Sequence, residues 1–176
     1  MEEIIRRLKQ MSNAAASTNE PLSWFEELYS SARGDDNWIP WSDGSPSPFV
    51  VEWAKKRHEK GGIEWVVADL LNPPDEWRGE FELVLEVHIL QAIPENIRNN
   101  AARKLPLFVA KGGHLVCIGR FDDNGSPHEG PPWPLNQVFI ESIGESLGQM
   151  SMVKATLPND EPSTTRYRAT WSRPDY

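Results

Sequence analysis

Apolar residues recur along this chain with two different periods, and the change falls near residue 62. Before it the spacing is helical. Ile4, Ile5 and Leu8 predict a short amphipathic helix over residues 1–10, and Met11 to Glu20 reads as a polar linker. Pro21 opens a second helix, with Ser23 as N-cap, Glu26 in the capping-box position and Trp24, Phe25 and Leu28 on the apolar face. Gly34-Asp-Asp-Asn37 ends it. Trp38 to Pro48 carries two Ser-Pro pairs and a glycine and predicts a loop. Phe49, Val50, Trp53, Ala54 and Arg57 then mark one face of a helix that stops at Gly61-Gly62.

Beyond that point short apolar runs alternate with helical patterns. Glu64–Asp69 and Phe81–Val87 predict two strands, each closing on or near an acid (Asp69, Glu86), joined by the connector 72–79. Pro94 starts a helix with Ile97, Ala101 and Leu105 inward, which Pro106 should end or kink. Lys111-Gly-Gly113 turns the chain into a third strand, His114–Ile118. Residues 121–134 form a Gly/Pro-rich loop, and 136–149 a helix with Val138, Phe139, Ile143 and Leu147 inward. Met150–Leu157 and Thr164–Trp171 make a final antiparallel hairpin. Near-continuous apolar strands separated by helices imply an α/β fold with a Rossmann-like, mostly parallel sheet covered on both faces.

The composition narrows the class. With 176 residues, 39% apolar and 25% charged, the chain suits a single domain with a helical lead-in to residue 62 and a sheet portion from 63. A net charge of -8 argues against a nucleic-acid partner, since no basic footprint faces a phosphate backbone. No apolar run approaches the ~20 residues of a membrane span, and the acidic start Met1-Glu-Glu lacks a signal-peptide stretch. A cytoplasmic protein is expected. The single cysteine, Cys117, lies in an apolar run and reads as a small buried hydrophobe. His58, His88, His114 and His128 have no metal-ligand spacing, so no metal is expected. Eight tryptophans imply either core or a ring-lined pocket.

Ala68-Asp-Leu-Leu-Asn-Pro-Pro, Phe81-Glu-Leu-Val-Leu-Glu-Val and Ala110-Lys-Gly-Gly-His-Leu-Val together resemble the second half of a class I S-adenosylmethionine-dependent methyltransferase. Trp24…Leu28-Tyr29…Gly34-Asp35…Ile39-Pro-Trp41 and Gly130-Pro-Pro-Trp-Pro-Leu135 are similar to a small-molecule subgroup, the thiopurine methyltransferases. The resemblance implies methyl transfer from S-adenosyl-L-methionine to a small-molecule acceptor. Asp69 and Leu70 would face the adenine edge, and Glu86 and Val87 the sulfonium. Trp24 and Trp41 would offer aromatic faces to the cofactor, Trp133 one to the substrate, and His88 a base. The same residues have blander uses: Asp69 and Glu86 as caps of turns or helices, the tryptophans as core, His88 as a polar strand end.

One part of that pattern is missing. No glycine-rich loop of the G-x-G-x-x-G kind precedes Ile63, and such a loop brings backbone N–H groups close to a nucleotide. A β-α-β unit of about 40 residues looks to have been lost. The loss implies impaired cofactor binding, or a non-catalytic binding or regulatory module on a degenerate methyltransferase scaffold. It also implies sheet closure with rearrangement, or a homodimer that shields the exposed strand edge.

Overall fold

A computed structural model describes residues 2–16, 18, 20, 23–33, 66, 68–123, 125, 131–157, 160 and 164–175. The chain forms two compact units, one of residues 1–64 with 128–133, the other of 65–127 with 134–176. The loop, helix and glycine pair expected over 34–62 lie outside the described residues, Trp41 among them.

In the first unit α1 (Glu2–Ala16) and α2 (Ser23–Ala32) form a helical pair. Helix α1 runs six residues past the expected stop, because Met11 and Ala15 extend the apolar stripe of Leu8 at i+3 and i+7. Against that stripe pack Trp24, Leu28 and Ala32, four residues apart on α2. Thr18 ends α1 from its own side chain: Oγ1 donates to the Ala15 carbonyl (2.7 Å) and accepts from the Glu20 N–H (3.1 Å). Ser23 is the first residue of α2, so the cap falls at most a residue earlier than expected.

The second unit is a four-stranded sheet, β1 (Phe81–Val87), β2 (Val109–Phe121), β3 (Met150–Ala155) and β4 (Thr165–Ser172), in the order β1-β2-β4-β3. Strands β1 and β2 pair in parallel through α3 (Glu95–Phe108), while β4 enters antiparallel between β2 and β3. Three strands thus run one way and one against them, giving the Rossmann-like α/β sheet with a C-terminal hairpin that the apolar pattern implied. The centre is β2, where Leu115 to Gly119 are buried in succession, as a strand covered on both faces requires.

Four expectations need correction. Val66, Ala68 and Asp69 belong to no strand, and Val66 is exposed, so the run ending at Asp69 is not part of the described sheet. Pro106 does not end α3. It sits in the last turn, where the N–H it lacks removes one bond and the chain continues to Phe108. Gly112-Gly113 is not a turn before β2 but an irregularity inside it: Phe81 pairs with Val109 while Leu83 pairs with His114. The helix after the loop, α4 (Gln137–Ile143), is shorter than expected and points Val138 to solvent at 77% exposure. Of the positions read as inward, Ile143 and Leu147 are buried and Phe139 is half-buried, while Ile140 is buried where Val138 was expected to be.

The start of α4 is set by one side chain. Asn136 Oδ1 accepts from the Phe139 N–H at 2.9 Å, satisfying a donor that the helix itself leaves open. Asn136→Ala is expected to lower stability by about 1 kcal/mol, measured by urea unfolding; an unchanged midpoint would show that water caps the helix equally well. At the other end Gly144 lies against the Trp171 ring so closely that a Cβ would strike it. This contact seats α4 on β4.

Candidate functional site

The parallel strands β1 and β2 end side by side, and in open α/β sheets ligands bind beyond the carboxyl ends of such strands. Three of the sequence-derived site residues, Glu86, Val87 and His88, fall at that end of β1. The chain builds the mouth with unusual hydrogen bonding. The His88 N–H donates to the Ile118 carbonyl (3.0 Å), extending the β1–β2 ladder by one residue. His88 then adopts φ 63°, a left-handed conformation in which histidine is several-fold commoner than most side chains. Such backbone strain at a strand end is a frequent companion of binding and catalytic sites.

Past that kink the chain cannot continue as a strand, and side-chain and loop groups replace it. Gln91, 1% exposed, sets its amide against Arg120 on β2: Oε1 accepts from the Arg120 N–H (2.8 Å) and Nε2 donates to the Arg120 carbonyl (2.5 Å). Beyond β2 the loop returns as a parallel bridge between Phe121 and Leu135. The Leu135 N–H donates to the Arg120 carbonyl (3.1 Å) and the Asp122 N–H to the Leu135 carbonyl (2.9 Å). Around this mouth Ile89 is 52% exposed, while Val87 and His88 are half-buried.

Glu86 is buried at the end of β1. It is 2% exposed; Oε1 accepts from the Leu90 N–H at 3.0 Å, and Oε2 is buried with no hydrogen-bond partner. Burial pushes its carboxyl up to about 7, with the Leu90 and Ile89 N–H groups opposing. Its cross-strand neighbour Cys117 lies against the same carboxyl without a well-formed hydrogen bond to it. Burial raises the Cys117 thiol well above its ordinary range, and the Tyr167 hydroxyl likewise, each reinforced by the Glu86 charge. On the same sheet face β4 contributes Tyr167 opposite Gly119 and Ala169 opposite Cys117. A layer of weakly acidic groups thus lies beneath the mouth, poised to hold protons rather than charge.

Asp69 and Leu70 stand in a turn of their own. Asp69 Oδ1 accepts from the Leu71 N–H (2.8 Å) and Oδ2 from the Asn72 side-chain amide (2.9 Å), while the Asn72 N–H donates to the Asp69 carbonyl (3.1 Å). These bonds, the Asn72 amide first, hold its carboxyl below the usual range. The residue is exposed and its turn-forming use is fully visible. Trp24 belongs to the first unit, where it is 1% exposed and stacks on Phe25 (centroids 4.0 Å apart). Its ring packs the helical pair rather than an open surface. Trp133 is half-buried and also belongs to the first unit. The structure therefore brings Glu86, Val87 and His88 together, and adds Gln91, which the sequence did not single out. Its only signal was a lone amide inside the apolar run Ile89-Leu-Gln-Ala-Ile93.

Among the described residues no cluster of three or more His, Cys, Asp and Glu side chains is arranged to hold a metal ion. Nor is any helix among them long and apolar enough to cross a membrane.

No known sequence family matches the chain, and no curated protein matches it in sequence. Solved structures do. A protein from the study of conversion of a disulfide bond into a thioacetal group during echinomycin biosynthesis superposes with a TM-score of 0.57 at 13% identity, over 85% of this chain and 93% of that one. The N-methyltransferase NodS from Bradyrhizobium japonicum WM9, in complex with S-adenosylhomocysteine, gives 0.49 at 12% identity over 95% and 98%. Haemonchus contortus phosphoethanolamine N-methyltransferase 2 gives 0.47 at 11%, and there the match spans only 36% of the larger chain. At such identities the likeness is one of fold: the chain is a mixed α/β protein with a Rossmann-like sheet.

Proposed function

We propose that this chain binds S-adenosyl-L-methionine and transfers its methyl group to a small molecule, with the reacting end of the cofactor at the mouth formed by Val87, His88 and Ile89. The observation that carries the proposal is the kinked carboxyl end of β1 beside β2, where a strained histidine follows a buried glutamate. The donor set suits a sulfonium. Glu86 Oε2 is a buried acceptor left without a hydrogen bond, and a positive charge nearby would offset the cost of ionising it. Asp69, already ionised by its turn, would hold the adenosyl end together with Leu70. When bound, the cofactor supplies an activated methyl group. The chain's own part is to hold cofactor and acceptor in line, which provides much of the acceleration in such displacements, and to keep a proton acceptor at His88.

The test is calorimetric titration of the full chain with S-adenosylmethionine and S-adenosylhomocysteine. Saturable binding is expected, weakened about ten-fold or more by Asp69→Ala, the usual cost of losing a charged hydrogen bond. Heat indistinguishable from dilution at millimolar ligand would overturn the proposal and leave a non-catalytic scaffold, as the absent glycine-rich loop suggests.

A further inference from the structure

Gln91 performs the hydrogen bonding of a strand with a side chain, and in doing so it determines the state of His88. The orientation of its amide is forced. Arg120 N–H can only donate and Arg120 C=O can only accept, so Oε1 must face the first and Nε2 the second. Gln91 Oε1 also lies 3.2 Å from His88 Nδ1. An amide oxygen carries no proton to give, so Nδ1 must be the donor. A neutral imidazole has one N–H, and with it on Nδ1 the lone pair belongs to Nε2.

The amide lies directly against the backbone of β2 at Gly119. A Cβ on Gly119 would come within 2.6 Å of Gln91 Oε1 and 3.1 Å of the Tyr167 ring, so glycine at this position leaves the space that the amide fills. His88 is held from both sides in consequence, its backbone by Ile118 and its ring by Gln91. We propose that Gln91 is a positioning residue that fixes His88 as the Nδ1–H tautomer and ties its ring to the carboxyl end of β2. The use of the Nε2 lone pair as a base rests on the methyltransferase proposal; the tautomer itself does not.

Two-bond proton–nitrogen correlation spectra of the full chain, labelled with nitrogen-15 histidine and recorded above the imidazole titration, read the tautomer directly. His88 is assigned by the signals lost in His88→Asn, a change that also tolerates the left-handed backbone. The wild type is expected to show the Nδ1–H pattern. So is Gln91→Glu, whose carboxylate still accepts from Nδ1. Gln91→Leu is expected to lose the pattern and shift toward Nε2–H. An Nε2–H wild type, or an Nδ1–H pattern that survives in Gln91→Leu, would overturn the assignment. If Gln91→Leu fails to fold, the wild-type and Gln91→Glu spectra still decide the matter. Because the spectra need no cofactor, a chain that shows Nδ1–H yet ignores S-adenosylmethionine would refute the enzyme proposal and leave the positioning role intact.

Discussion

Replacing Glu86 by glutamine is expected to stabilise the protein above pH 7 by on the order of 2 kcal/mol. The carboxyl is held at about 7 in the folded chain against 4.5 ordinarily. The native state therefore binds more protons than the unfolded one between those values, so stability falls as pH rises through that window and stays low above it. At about 1.4 kcal/mol per pH unit, ionising this buried group costs on the order of 3 kcal/mol. Glutamine keeps an oxygen for the Leu90 N–H but places an amide where Oε2 has no partner. An unsatisfied amide returns about 1 kcal/mol of that gain. Urea unfolding of both proteins at several pH values should put glutamine about 1 kcal/mol below the wild type near pH 4 and above it by pH 8, the curves crossing between. Curves that stay parallel would mean that the carboxyl is hydrated and its proton not held by burial.

The opposite outcome is expected at the hairpin, where a charge pair is completed rather than lacking a partner. Arg166 Nε donates to both carboxylate oxygens of Asp160 (3.0 and 2.8 Å) and Nη2 to Oδ1 (2.7 Å), with both side chains 7% exposed. Asp160 Oδ2 also accepts from the Leu157 N–H at 3.0 Å, so the pair anchors the segment joining β3 to β4. Asp160→Ala takes the carboxylate away from a buried guanidinium and is expected to cost about 3–5 kcal/mol. The double change Asp160→Ala with Arg166→Met should cost clearly less than the two single changes added together, because it removes both charges. Additive losses in a urea double-mutant cycle would mean that the two residues act independently. Arg166 holds the Asp160 carboxyl below its ordinary range. The contribution of the pair is therefore present above about pH 4 and fades as acid protonates the carboxylate.

These two sites show where the sequence was legible. The apolar runs at Phe81–Val87 and His114–Ile118, and the hairpin, found their strands because burial on a sheet imposes period and composition together. The helix faces were less secure. Val138 and Ile140 are equally apolar and two residues apart, yet Val138 faces solvent and Ile140 is buried, a choice that apolarity alone does not make. Gly112-Gly113 punctuates a strand as readily as it ends one, so the sequence alone could not tell an irregularity from a turn. At the site, the position of Glu86 at the end of β1 was readable from the alternation. Its burial was not, since that depends on Leu90 folding back over it. Gln91 escaped notice because its partner, Arg120, is 29 residues away in sequence.

The bridge from Phe121 to Leu135 has a consequence for variation. The bonds that join the loop ends, from the Leu135 N–H to the Arg120 carbonyl and from the Asp122 N–H to the Leu135 carbonyl, run between backbone groups. Lengthening the chain between Asp122 and Leu135 would then cost the closure little, because closure entropy grows only slowly with loop length. A lineage carrying this fold is free to change the length of that loop while the strands it joins stay the same.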